Sequence, residues 1–142
     1  MSERPAQQNL ILILARDFAS RLATAVFLVD ADGTVVYYNE AAERLLGTKF
    51  VEGRGMGADD WSTRFSAADH AGTPMPLEDM PLGVAIQQRR PHHETLRIRD
   101  GEGRTRRIEV TAFPLLAHAG ELVGALAIFW EAPVTSGVHP AP

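Results

Sequence analysis

The side chains able to do chemistry are scattered. The chain holds five histidines, His70, His92, His93, His118 and His139. None has a second histidine four residues away, as a helical zinc site requires. His92 and His93 are adjacent at the start of a strand-like run, so their side chains point to opposite faces and do not chelate one metal. No metal site is expected. Asp30 and Asp32 before Gly33 hint at a calcium loop, but further acidic ligands and the closing glutamate are missing. Gly53, Gly55 and Gly57 alternate with Arg54 and Met56. A phosphate-cradling loop would need the Walker lysine and a strand feeding a helix, so a connector is the better reading. Ser20, Ser62, Ser66 and Ser136 show no nucleophile elbow and no ordered triad. The chain has no cysteine, which excludes disulfides, thiolate metal sites and a thiol nucleophile. No catalytic residue is assigned; a binding function is expected, not an enzyme.

Composition bounds the partners. A length of 142 residues favours one domain with one core. Apolar content of 45% and charged content of 23% are ordinary for a globular protein. A net charge of −4 argues against general nucleic-acid or anionic-membrane binding. The run Leu10 to Ala15 is too short to span a bilayer and lacks a cleavage site. A cytoplasmic location fits the absence of disulfides.

The elements that would position a site begin with a helix over Gln7 to Ala23. Ile11, Leu14, Phe18 and Leu22 form a stripe at helical spacing. Leu10, Leu12 and Ile13 lie partly off it, so more than one face is apolar and a second partner is expected. Leu10, Ile11, Leu14, Phe18 and Leu22 are the candidate interface, and a homodimer is the expected assembly. Val26 to Val29 reads as a buried strand, Ala31-Asp32-Gly33 as a turn and Thr34 to Tyr38 as a second strand. Asn39 sits at a helix N-cap, and Gly47 at the left-handed stop of that helix. Phe50 to Met80 is rich in Gly, Asp and Pro, with Trp61 and Phe65 spaced to share a helical face. Pro81 opens a helix to Arg89. His93 to Arg99 and Arg106 to Phe113 alternate as strands around the turn Asp100-Gly101-Glu102-Gly103, with Pro114 as a stop. Ala119-Gly120-Glu121 turns into a long apolar strand, Leu122 to Trp130. The segment from 132 to 142 is expected to be a loose tail.

Asp30, Asp32, Gly33, Tyr37, Asn39, Ala42, Leu45, Leu46 and Gly47 together resemble the opening of a PAS domain. The resemblance continues through Pro76 to Ile86 and through the two final strands, so it covers about Thr24 to Glu131. It implies an α+β fold, with a five-stranded antiparallel sheet, helices on one face and an N-terminal cap helix over residues 1–23. It implies a sensory or signalling module that binds a small ligand in its core and acts through a homodimer or a signalling protein partner. Candidate cavity residues are Phe27, Tyr38, Trp61, Leu82, Ile86, Leu96, Ile108, Leu126 and Ile128. A protein-interaction or dimerisation module without ligand, or a flavin or haem redox sensor, is the alternative. No cofactor is expected. Haem-binding relatives commonly place the axial histidine on the long helix, and Pro81 to Arg89 has none; His70 or His93 would have to serve. Flavin photochemistry in light-sensing relatives needs a cysteine, so only a non-covalent flavin, beside Trp61, remains. Arg97, Arg99, Arg106 and Arg107 suggest a basic docking patch, but solvated strand faces explain them as well.

Overall fold

The computed structural model describes residues 3–52 and 56–133, with side chains from residue 10 onward. Helix α1 spans Glu3–Ser20. Strands β1 (Ala25–Asp30) and β2 (Val35–Tyr38) lead into α2 (Glu40–Leu46). After α3 (Ala58–Arg64) and a 3-10 turn at Leu77–Asp79 comes α4 (Pro81–Gln88). Strands β3 (His92–Arg99), β4 (Thr105–Leu116) and β5 (Leu122–Glu131) complete a five-stranded antiparallel sheet in the order β2-β1-β5-β4-β3. The expected tail lies outside the described residues beyond Pro133, as do Gly53, Arg54 and Gly55 of the glycine-rich connector.

Two clusters divide the core. Phe27, Val29, Trp61, Phe65, Leu82, Leu96, Ile108 and Phe129 belong to the inner one, between the sheet and α2 to α4. Ala19, Val26, Leu28 and Leu126 form the outer one, with Leu12, Ala15, Leu22 and Ile128 packed against it under α1. Strands β1 and β5 are therefore covered on both faces, which is why their sequences are unbroken apolar runs.

The turns share one chemistry. Asp30 Oδ1 accepts from the N–H groups of Asp32 and Thr34 at 2.9 and 3.0 Å. Asp69 does the same for Ala71 and Thr73, and Asp100 for Glu102 and Arg104. Three residues after each aspartate, Gly33, Gly72 and Gly103 adopt φ of 85°, 88° and 84° and donate back to its carbonyl at 2.9 Å. Only glycine enters that region without strain. The Asp30 carboxylate is thus committed to its own backbone, which accounts for the calcium-like spacing.

Asn39 ties three elements together. Its Oδ1 caps α2 through the Ala42 N–H at 3.0 Å and also accepts from the Val26 N–H at 3.0 Å. Its Nδ2 donates to the carbonyls of Ala19 and Thr24, each at 2.9 Å, where α1 ends. Gly47 (φ 71°) closes α2, and the Leu46 carbonyl accepts from the Gly101 N–H at 2.7 Å. A Cβ on Gly101 would meet the Gly47 carbonyl at 2.4 Å, so glycine is required by close approach.

Two boundaries differ from expectation. Helix α1 starts at Glu3 and stops at Ser20, short of Ala23. Strand β4 runs through Pro114 to Leu116. Strand β3 pairs no further than Ala112, so β4 has an open flank at Pro114, where a missing N–H is tolerated.

Candidate functional site

A cavity of about 80 Å³ lies in the inner core. Phe27 reaches it from β1, Leu96 and Ile98 from β3, Ile108 and Val110 from β4, and Ala127 and Phe129 from β5. Helix α2 supplies Leu46, α3 supplies Trp61 and Ser62, and α4 supplies Pro81 and Leu82, with Met80 just before it; Phe65 and Ala67 complete the wall. Trp61 is fixed there because its Nε1–H donates to the Gly33 carbonyl at 2.7 Å. Its ring meets Phe27 edge-on, with centroids 5.5 Å apart.

Of the expected cavity residues, Phe27, Trp61, Leu82, Leu96 and Ile108 line this space. Tyr38 is stacked behind Phe27 at 5.4 Å and borders a different cavity. Ile86 is half-buried against the core edge. Leu126 and Ile128 are a correction: they face α1 on the opposite side of the sheet. Neighbouring strand residues point to opposite faces, so Ala127 and Phe129 take the inward positions. The unbroken apolar run of β5 carries no period from which the facing residues can be read. Leu46, Phe65, Met80, Ile98 and Val110 also line the cavity; the alternation of β3 and β4 already points to Ile98 and Val110.

Helix α1 docks through Leu12, Ala15 and Ala19, and Leu22 packs on the sheet just beyond its end. The expected interface residues therefore separate. Leu22 packs on the sheet, and Ile11 is half-buried. Leu10, Leu14 and Phe18 face outward with Ile13, at 55%, 59%, 55% and 61% exposure respectively. The docking face uses alanines, which let a helix approach closely but look inconspicuous in a hydrophobic stripe.

A chain of ring contacts joins cavity and helix. Phe27 stacks on Tyr38, Tyr38 meets Phe50 edge-on at 5.4 Å, and Phe50 meets Tyr37 at 5.4 Å. The Arg16 guanidinium of α1 lies 4.6 Å from the Tyr37 ring centroid and 5.7 Å from that of Phe50. It also pairs in bidentate fashion with Glu52, with Nη1 to Oε2 at 3.1 Å. That bond holds the Glu52 carboxyl below its usual range and raises Arg16.

A second polar centre sits at the β3–β4 turn. Asp100 accepts from Arg106 Nε at 2.9 Å, and its side chain is fully covered. The Arg106 hydrogen bond, helped by the backbone bonds of Arg104 and Glu102, lowers its pKa to about 2 against the burial that opposes ionisation. Arg106 also reaches Glu131 at 3.2 Å, so it is a structural cation and leaves the supposed basic patch.

Flavin and haem do not fit this site. Small-molecule sites usually measure roughly 300–1,000 Å³, and this cavity measures about 80 Å³, with Ser62 as the polar residue in its lining. His92 and His93 contact Glu94 and Glu109 at 2.9 and 3.0 Å, away from the cavity. No cluster of three metal-ligating side chains occurs among the described residues, and none of their helices is long and apolar enough to cross a membrane.

A cavity bounded by a five-stranded sheet and short helices, with a separate helix on the outer face, is an α+β architecture. The family model described as the PAS fold matches residues 19–133, and the chain belongs to that family, whose members are generally sensory and non-catalytic. No curated protein matches the chain in sequence. Among solved structures, it is similar to the PAS domain of nitrogen regulation protein NR(II) from Vibrio parahaemolyticus: 18% identity, 84% of this chain and 98% of that one, TM-score 0.58. The PAS domain of Bordetella pertussis BvgS is 17% identical over 87% of this chain and 88% of that one, with a TM-score of 0.60. The Rhodobacter sphaeroides LOV protein is 16% identical over 92% of this chain and 70% of that one, with a TM-score of 0.66. At these identities the likeness is one of fold.

Proposed function

We propose that the chain is a non-catalytic sensory module that homodimerises through the outer face of α1 and passes the state of its core cavity to that interface. The observation that carries this reading is the outward stripe of Leu10, Ile13, Leu14 and Phe18, each more than half exposed. Contiguous apolar patches of this kind mark interaction surfaces. The cavity favours a small apolar molecule, since its lining has almost no group to pair with a polar one. Occupancy matters only if the ligand prefers one arrangement of α1 over another, and the ring contacts from Phe27 to Arg16 supply a physical connection.

The test is the molar mass of the full chain by light scattering, beside Leu14→Glu/Phe18→Glu. The wild type is expected to be a dimer at low micromolar concentration and the variant a monomer with an unchanged melting temperature. A wild-type monomer, or a variant that stays dimeric, rules out this interface.

A further inference from the structure

Tyr38 is 1% exposed, and its hydroxyl has no hydrogen-bond partner. Such a group is rare in a folded protein, because burying a hydroxyl without a partner is costly. Burial pushes its pKa up, so at neutral pH it is a proton donor without an acceptor. Thr48 interacts with it but falls short of hydrogen-bond geometry.

Tyr38 borders a cavity of about 70 Å³, separate from the apolar one and bounded also by Val35, Thr48, Lys49, Phe50 and Arg64. Lys49 is the only lysine in the chain. Neither Lys49 nor Arg64 has an ion-pair partner among the described residues. The acidic group nearest in effect is Glu43, whose Oε2 is already occupied by the Phe50 N–H at 2.9 Å. Lys49 and Arg64 stand exposed at its rim, against one carboxylate that is already engaged. An acceptor carrying negative charge satisfies the buried donor and both cations together.

We propose that this cavity is a binding site for a small monocarboxylate, its carboxylate accepting from the Tyr38 hydroxyl and facing Lys49 and Arg64. The volume limits the occupant to about the size of acetate. The site lies between β2, the segment after α2 and the end of α3, with Val51 and Met56 completing its apolar walls, and it is a space separate from the apolar cavity.

The experiment titrates the isotope-labelled full chain with sodium acetate, with sodium chloride at equal ionic strength as the control, and follows the amides of Thr48, Lys49 and Phe50 by NMR. Saturable shifts are expected with acetate and not with chloride. Tyr38→Phe is expected to weaken acetate binding by roughly tenfold or more without lowering the melting temperature in chloride, because it removes an unsatisfied group. Equal responses to acetate and chloride overturn the proposal, as does unchanged acetate affinity in Tyr38→Phe. A Tyr38→Phe protein that melts earlier, with no acetate response in the wild type, means that water alone satisfies the hydroxyl, and this also overturns it. Should Tyr38→Phe fail to fold, Arg64→Gln at an exposed position decides: weakened acetate binding supports the site, and unchanged binding rejects it.

Discussion

Asn39 shows how much one side chain can organise. It serves the N-terminus of α2, the start of β1 and the carbonyls that end α1. Losing a cap costs about 0.5–2 kcal/mol, and each buried partner left bare adds about 1–3 kcal/mol. Asn39→Ala is therefore expected to lower stability by about 3 kcal/mol, read as an earlier urea midpoint. Its spacing before the helix reveals the cap from sequence, but its bonds to α1 depend on tertiary placement and are not legible there. Asp100 makes a separate prediction. Its folded pKa, about 2, lies below the ordinary 3.8. The stability it contributes is therefore present above the ordinary value and is lost as pH falls toward the folded one. Acid titration of the wild type should show that loss between pH ~4 and ~2. Asp100→Asn is expected to be less stable at neutral pH and to have a flatter profile across the same window.

At the scale of elements, close approaches and sheet faces decide what the sequence reveals. A Cβ on Gly83 would fall 1.8 Å from the Leu77 carbonyl oxygen, so α4 and the preceding 3-10 turn can cross only with glycine there. Gly83→Ala is expected to cost about 1–3 kcal/mol, as overpacking does, with an unchanged denaturant slope. The turns at Asp30 and Asp100, the stop at Gly47 and the alternation of β3 and β4 were readable because each is a local rule. The facing of β5 was not, since Leu126, Ala127, Ile128 and Phe129 are all apolar and both faces of the strand are covered. Helix α1 has the same difficulty. Its docking residues Ala15 and Ala19 look bland beside the exposed Leu14 and Phe18, and of its described large apolar side chains only Leu12 joins them on the inner face. The attachment is also limited. A well-buried leucine contributes about 2 kcal/mol, and Leu12 and Leu22 are only partly buried. The buried Asn39 bond to the Ala19 carbonyl adds to the hold on α1, and the exposed Arg16–Glu52 pair adds little.

The whole molecule places a small apolar cavity on one side of the sheet and a lightly held helix with an exposed apolar stripe on the other. The sheet and the rings of Phe27, Tyr38 and Phe50 lie between them. Such an arrangement couples the two sides only if filling the cavity changes the energy of α1, and spatial continuity alone does not establish that. Ala127 faces the cavity from β5, opposite Phe27, and Ala127→Val occupies part of the empty space without touching α1. The decisive measurement is the dimer dissociation constant of wild type and Ala127→Val by sedimentation equilibrium. A change of about fivefold or more, the lower range of measured couplings between sites, is the expected result. Equal dissociation constants in two equally well-folded proteins, or a wild type that stays monomeric, would contradict the coupling of cavity to helix.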